Sequence, residues 1–475
     1  MALRFPSLAL EALLRGHALR ESTGVPWAIA EGPEVLACNA RAGALGVHAG
    51  MELAAAWALA PRLRVRPRDE AVEREALEGI AAWACRFTPR VSLEPPQGVL
   101  LEIEGSLRLF HGLAPLIGRM RSGLEEMGFS TTLSAAPTAR GAWWLAIAGN
   151  EGLITDPVLL ETALAALPIS AGCSDQHALD LLRSIGVTTI EGLLALPREG
   201  VGRRLGRGLL DDLERALGAA PEPRTMFAPP ARFVAKLELH GEVEHAEGVL
   251  FAARRLLVQL EGVLAARQTG VRRFLLVLLH HAARPSVVEV GLASPGREVE
   301  RFMQLLREKL SMAVLVEPVE AIRIEAADFE PLHDYTADLF RDARIEEEGW
   351  ARLIERLQAR LGGGAVHGIG LQPEHRPERA WRVLGAGEQS PRGEACAGAR
   401  PLWLIDPPRR LKEAGGVPHD GGRLELLAGP ERIESGWWDG GEVARDYFIA
   451  RAPSSALLWI FRERGGSWYL HGLFA

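Results

Sequence analysis

The sequence predicts an α+β protein that is divided into several domains. Its 475 residues exceed the usual length of one compact domain, and a composition of 48% apolar and 24% charged residues is typical of globular proteins. Residues 231–330 alternate strand and helix patterns in the ferredoxin-like order β-α-β-β-α-β. Beyond residue 400 the apolar runs are short, and seven of the twelve tryptophans lie from Trp350 onward, which favours a small C-terminal β domain with a thin core.

The composition also excludes several classes of protein. A net charge of −7 provides no global positive field, so any contact with DNA must be local. The four cysteines are scattered without a Cys-x-x-Cys pair, which argues against a disulfide scaffold and a structural zinc site. No apolar stretch approaches the ~20 residues of a spanning helix, and no secretory signal is evident. We therefore expect a soluble, reduced, cytoplasmic protein without membrane contact.

The first 165 residues show an alternating strand and helix pattern. Apolar residues recur at helical spacing over 71–86, and two strand patterns flank the turn Pro95-Pro96-Gln97-Gly98. This order suits a sheet with helices on one face. The predicted elements are a strand at 27–30, a helix at 71–86, strands at 90–94 and 99–104, a helix at 113–127, a strand at 131–135 and a helix from 138.

Residues 166–222 predict short helices joined by glycine turns, a pattern typical of helix-hairpin-helix units. Thr188 with Glu191 resembles a capping box, and residues 203–217 predict one final helix. Pro221 begins a linker. After the ferredoxin-like pattern, residues 331–345 form a second polar linker, and a helix is predicted over 346–361. The C-terminal strands are predicted at 402–405, 424–427, 447–450, 457–462 and 468–470.

Four phrases, taken together in their order and spacing, resemble the Y-family (translesion) DNA polymerases. They are residues 4–11 (Arg-Phe-Pro-Ser-Leu-Ala-Leu-Glu), 39–51 (ending Gly-Val-His-Ala-Gly-Met), 87–91 (Phe-Thr-Pro-Arg-Val) and 128–137 (Gly-Phe-Ser-Thr-Thr-Leu-Ser-Ala-Ala-Pro). The resemblance implies five regions. They are a palm and fingers-like domain at 1–165, a helix-hairpin-helix thumb-like domain at 166–222, a little-finger-like domain at 231–330, a linker with a clamp-binding-like motif at 331–345, and a C-terminal partner-binding region with a small β domain at 346–475.

The catalytic carboxylates of that family are missing from this chain. Polymerases clamp the reacting oxygens with two metal ions, which carboxylates hold. In the family these are an Asp on the first strand and an Asp-Glu pair on the middle hairpin, and the matching positions here are Ala2, Gln97 and Gly98. The chain therefore resembles the non-catalytic members of the family, and we expect no enzyme activity, no metal and no cofactor. The nucleotide-gripping positions are also replaced, by Ala40, Gly43, Ala139 and Trp143.

Two alternatives remain open at this point. The first is an active nucleotidyltransferase that uses a shifted set of carboxylates, Glu94, Glu102 and Glu104, of which the last two would share a strand face. The competing interpretation of these residues is a solvated strand edge. The second alternative is a DNA-binding protein that works without a clamp or a polymerase partner.

Two arginine clusters are candidate DNA contacts. Arg203, Arg204 and Arg207 surround a glycine turn at a helix start, where backbone N–H groups and guanidinium groups can meet a phosphate. A solvated helix face, balanced by nearby acids, would explain the same cluster. The second cluster consists of Arg267, Arg272 and Arg273 in the little-finger-like domain.

A short segment resembles the peptide that binds the bacterial sliding clamp, the DNA polymerase III beta subunit. The clamp pattern is Gln-x-x-Leu-Phe, and here Thr336 stands near the Gln position while Asp338 precedes the apolar pair Leu339 and Phe340. Such a pair would fill a pocket on the clamp. Alternatively, the pair packs against its own domain.

The tail phrases at 375–382, 400–404, 445–448 and 468–474 extend the resemblance to the non-catalytic members. For this region the resemblance implies two protein partners, the RecA-like ImuA and an error-prone C-family DNA polymerase. The implied role is that of a scaffold in translesion synthesis and mutagenesis during the SOS response to DNA damage, located on the nucleoid when bound to DNA. The same aromatic residues would also serve to build the small core.

Overall fold

A computed structural model describes residues 1–16, 24–281, 283–313, 317–332, 343–362, 364–385 and 399–474. The chain divides into two compact units, Met1–Arg360 and Leu361–Ala475. The first unit mixes helices and sheets and the second consists mainly of strands, which confirms the predicted α+β class with a C-terminal β domain.

The first sheet of the first unit is antiparallel and holds the residues aligned with the polymerase carboxylates. Leu3 and Val99 point from one face into a large core, whereas Ala2 and Leu100 point from the other face into a second core. Because both faces are apolar, helices cover both, and the prediction of helices on one face is wrong. The strand order is Val91–Glu94, Gly98–Leu101, Ala2–Arg4 and Thr132–Ser134. The helices around it are Leu8–Leu14, Glu70–Ala84, Leu113–Met127 and Ala139–Ile147.

A smaller sheet lies in the segment expected to resemble the fingers. The Asn39 side chain caps the helix Ala40–Ala44 by accepting the N–H of Ala42 at 3.0 Å. A small apolar core fixes this sheet against the helix Leu53–Leu59. Its strands are ordered Glu34–Cys38, Trp27–Glu31 and Arg64–Pro67.

Short helices follow, and two predicted details of this region are wrong. Thr189, not Thr188, caps the helix Ile190–Leu194, and its hydroxyl accepts the N–H of Gly192 at 3.2 Å. The helix predicted over 203–217 is two helices, because Gly206 adopts a φ of 81° that breaks the helical path. The helices are Pro157–Ala165, Gln176–Ser184, Ile190–Leu194, Arg198–Leu205 and Arg207–Leu217.

The ferredoxin-like order is confirmed and gains a short strand, Phe329–Pro331, which pairs with the start of Thr269–His280. Helix Ala246–Ala266 packs on the first domain, where Trp83 lies so close to Gly262 that an added Cβ would stand 2.8 Å from the indole Cγ. The two domains therefore share one core. The remaining elements are strands Phe233–Val243, Ser286–Gly296 and Val319–Ala326 and helices Val299–Met312 and Ala343–Leu361.

The second unit contains the five C-terminal strands predicted from the sequence. Trp459 and Trp468 are buried in its sheet, whereas Trp403, Trp437 and Trp438 are exposed, so the tail tryptophans supply both core and surface. The sheet order is Trp403–Arg410, Trp468–Leu473, Leu457–Glu463, Val443–Arg451 and Glu425–Ser435. Two strand pairs accompany it, Gly368–Leu371 with Trp381–Leu384 and Lys412–Ala414 with Val417–His419.

A buried arginine organises the turn between the last two strands in that order. Arg376 donates to Asp439 at 2.7 Å and to Glu374 at 2.7 Å. These hydrogen bonds lower the pKa of Asp439 to about 2 and the pKa of Glu374 to about 2, because they favour the charged carboxylates. The turn that carries Trp437 and Trp438 is thus held to the rest of the second unit.

Candidate functional site

The first sheet and its hairpin turn bring together the three positions that the family resemblance aligns with the polymerase carboxylates. Ala2 pairs with Leu100 and Arg4 pairs with Gly98, so Ala2 and Gly98 lie on the same face of neighbouring strands. The N–H of Phe5 donates to the carbonyl of Gln97 at 2.8 Å, which places the turn beside the end of the first strand. Ala2, Gln97 and Gly98 thus form a contiguous patch of the first sheet and its turn.

Trp143 fills the space above this patch. An added Cβ on Gly98 would stand 2.5 Å from Cζ3 of the indole and 2.9 Å from the carbonyl oxygen of Glu94. Ala2 is fully buried and packs in the same apolar cluster as Leu100 and Trp143. The sheet face that the alignment assigns to the metal ligands is therefore an apolar contact between the sheet and helix Ala139–Ile147.

A cation occupies the next position on this face. One Nη of Arg4 donates to the carbonyl of Ile147 at 3.3 Å, and its buried Nε finds no hydrogen-bond partner among the described residues. Burial lowers the pKa of Arg4, because it penalises the charged guanidinium. A guanidinium at this place would repel a divalent cation.

Glu94 is the carboxylate opposite Gly98, and two arginines engage it. Glu94 pairs with Arg140 at 3.1 Å and, more closely, with Arg224. Glu222 pairs with the same two arginines, at 3.2 Å and 2.6 Å. All four side chains are mostly buried, and the two arginines neutralise the charge of Glu94 beside Gly98. Asp212 also lies 3.7 Å from Arg140. The sequence reasoning missed this network, because Glu94 and Arg140 lie far along the chain from Glu222 and Arg224, and its only local sign was the charged linker after Pro221.

The other two members of the shifted carboxylate set do not join Glu94. Glu102 follows the end of its strand at Leu101, pairs with Arg90 at 3.6 Å and accepts the N–H of Glu104 at 2.8 Å. Glu104 begins a 3-10 helix, so the prediction that Glu102 and Glu104 share a strand face is wrong. Within the described ranges, no three His, Cys, Asp or Glu side chains are grouped so as to hold a metal ion.

The thumb-like arginines surround the Gly206 turn and are exposed. Arg203 lies 3.6 Å from Glu199, which is itself exposed. Arg204 and Arg207 make no ion pair with any residue that the structure describes. These two guanidinium groups, on either side of a helix start, form the more accessible of the two predicted DNA contacts.

The little-finger-like arginines are engaged within their own domain. Arg267 donates to the carbonyl of Pro229 at 2.9 Å. Arg272 pairs with Glu330 at 2.9 Å, and Arg273 pairs with Asp328 at 3.0 Å. The sequence reasoning missed these acids, because strand pairing brings them close from more than fifty residues away.

Comparison with known proteins identifies the family of this chain. Residues 12–146 match the family described as IMS, the impB/mucB/samB family. The proteins named ImuB in two strains of Caulobacter vibrioides are 32% identical over 461 residues, which cover 90% of this chain and 100% of each relative. The chain belongs to the ImuB family.

Two solved structures have a backbone fold similar to that of this ImuB-family chain. One is a ternary complex of Dbh, and the other is DinB from Sulfolobus solfataricus. Both share 16% sequence identity and cover 70% of this chain, with TM-scores of 0.40 and 0.39. They are covered over 100% and 99% of their own length.

The clamp-binding-like residues of this ImuB-family chain, Thr336, Asp338, Leu339 and Phe340, lie outside the described residues. Their role stays a prediction. Among the described helices, none combines the length and apolar character needed to cross a membrane.

Proposed function

We propose that this ImuB-family chain is a non-catalytic, polymerase-like scaffold for translesion DNA synthesis and DNA-damage-induced mutagenesis. The observation that carries the proposal is the packing of Trp143 over Gly98 in the apolar cluster that also contains Ala2. Two-metal phosphoryl transfer needs carboxylate oxygens at those positions and room for two ions between them. An alanine, a glycine and an indole supply neither.

DNA binding in this proposal depends mainly on the thumb-like domain at 166–222. Arg204 and Arg207 are exposed and lack carboxylate partners among the described residues, so both are available to neutralise phosphates. The little-finger-like arginines have internal partners and would add less.

The protein partners are the sliding clamp and, through the C-terminal region, the RecA-like ImuA and an error-prone C-family polymerase. The resemblance of residues 336–340 to the clamp peptide supports the first partner. The exposed Trp403, Trp437 and Trp438 support the second group, because tryptophan is a frequent interface anchor. Several weak contacts on one chain strengthen one another through effective concentration.

Primer extension tests the absence of catalysis. The purified chain is offered primed DNA and deoxynucleotides with magnesium or manganese, and we expect no extension above the background without protein. Extension that disappears in Glu94→Ala or Glu102→Ala would overturn the proposal, because it would assign catalysis to the shifted carboxylates.

A clamp pull-down tests the tether. Leu339→Ala with Phe340→Ala is expected to abolish retention on the immobilised beta subunit, whereas Leu109→Ala, which removes an exposed leucine elsewhere, retains binding. Equal retention of all three chains would remove the clamp from the proposal.

A further inference from the structure

Helix Ala343–Leu361 is fixed on the ferredoxin-like domain in one orientation. Glu355 is only 2% exposed, and its carboxylate accepts the Nε of Arg301 at 3.0 Å and the N–H of Ala293 at 2.8 Å. Ala359, one turn later, packs against the core of the first unit. A buried carboxylate with a charged partner resists displacement, so the opposite side of this helix faces solvent.

That solvent side carries an apolar stripe. Trp350, Leu353 and Leu357 follow the i, i+3, i+7 spacing of one helix face, and they are 64%, 44% and 36% exposed. At about 100° per residue, Trp350 lies about 140° around the helix from Glu355. The stripe therefore points away from the domain that holds the helix.

A column of arginines borders the stripe. Arg352, Arg356 and Arg360 follow an i, i+4, i+8 spacing and are all exposed. None of the three makes an ion pair with the part of the chain that the structure describes. The stripe and the column together are named the 350–360 surface.

We infer that the 350–360 surface docks an amphipathic helix of a partner protein whose apolar face is flanked by acidic residues. Leucine-type side chains would pack between Trp350, Leu353 and Leu357, as apolar positions do between paired helices. Arginines four residues apart are spaced by about 6 Å along the axis, which matches carboxylates at the same spacing on a second helix. This surface is separate from the clamp-like motif, and the inference stands whether or not the chain is catalytic.

Other occupants match the 350–360 surface less completely. Nucleic acid would neutralise the arginines but leave the apolar stripe in water, which is unfavourable. An anionic lipid surface would take up the stripe and attract the arginines, but its mobile headgroups do not match their fixed four-residue spacing. An acid-flanked helix satisfies both halves together.

A charge-swap experiment on the full chain tests the inference. The probes are two fluorescein-labelled three-heptad peptides with leucine at the a and d positions and either glutamate or lysine at e and g. We expect the glutamate peptide to raise the anisotropy on binding and the lysine peptide to bind at least about tenfold more weakly. The triple variant Arg352→Glu, Arg356→Glu, Arg360→Glu is expected to reverse that preference, and Leu353→Ser with Leu357→Ser is expected to lose both peptides.

The matched control reverses the charge of three other exposed arginines, with Arg62→Glu, Arg64→Glu and Arg66→Glu. This variant is expected to prefer the glutamate peptide as the wild-type chain does. Equal binding of the two peptides, binding of neither, or an unchanged preference in the Arg352→Glu, Arg356→Glu, Arg360→Glu variant overturns the inference. So does tighter binding to phosphatidylglycerol vesicles than to the glutamate peptide, or self-association that Leu353→Ser with Leu357→Ser abolishes in analytical ultracentrifugation. Circular dichroism of every variant establishes that it is folded.

Discussion

Replacing Gly98 with alanine tests whether Trp143 fills the space beside this position, which the alignment assigns to a metal ligand. Gly98 belongs to a regular strand, so alanine fits its backbone. The new methyl group, however, would stand 2.5 Å from Cζ3 of the indole, where carbon atoms prefer about 3.5–4.0 Å. The indole must therefore retreat by roughly 1 Å in a packed interior, and the backbone carbonyl of Glu94, 2.9 Å from the new methyl group, must shift as well.

The magnitude follows from the cost of overpacking. Forcing one extra carbon into a filled core costs about 1–3 kcal/mol, and we expect about 2 kcal/mol for Gly98→Ala. Trp143→Ala alone is expected to cost about 4 kcal/mol through the lost burial and the cavity that remains. The double variant is expected to cost less than the sum of about 6 kcal/mol, because the cavity removes the contact with the indole and leaves only the one with the Glu94 carbonyl oxygen.

Urea denaturation followed by circular dichroism measures the three free energies of unfolding. Gly105→Ala is the control, because an added Cβ at that position meets no atom within 4 Å, and it should change stability by less than about 0.5 kcal/mol. Costs for Gly98→Ala and Trp143→Ala that add within about 0.5 kcal/mol would refute the reasoning, since independent sites are additive.

Three further predictions concern charged groups. Glu94→Gln should destabilise the chain by about 2–3 kcal/mol in urea denaturation, because two mostly buried arginines each lose one charged carboxylate partner. Glu102→Gln is the control, and it should cost at most about 1 kcal/mol because its pair with Arg90 is half-exposed. Arg204→Ala with Arg207→Ala should weaken DNA binding in fluorescence anisotropy and reduce the slope of log K against log salt by about 2, which an unchanged slope would contradict. The lowered pKa of Asp439 predicts that the stabilisation from its carboxylate is complete above its ordinary pKa near 4 and is lost as the pH falls toward about 2. In an acid titration, the near-UV circular dichroism signal of Asp439→Asn should therefore change less between pH 4 and 2 than that of the wild-type chain.

The sequence by itself determined the elements whose information is local. The ferredoxin-like order, the helix at 113–127 and the five C-terminal strands follow from apolar periodicity and turn residues, and the structure has them in those places. The alignment of Ala2, Gln97 and Gly98 with the polymerase carboxylates came from the family resemblance and stays a prediction, although the two strands that carry Ala2 and Gly98 do pair. The helices and strands among these features depend on neighbouring residues, so one chain read in order is sufficient to find them.

Only the tertiary structure decided what surrounds those positions. The packing of Trp143 on Gly98, the network around Glu94 and the acidic partners of Arg272 and Arg273 each join residues that are dozens of positions apart. No periodicity records which distant side chain fills a space or neutralises a charge, because that choice is made when sheets and helices pack. The exposure of the arginine column beside Trp350 was also decided by packing, because the buried Glu355 fixes which side of the helix faces the domain.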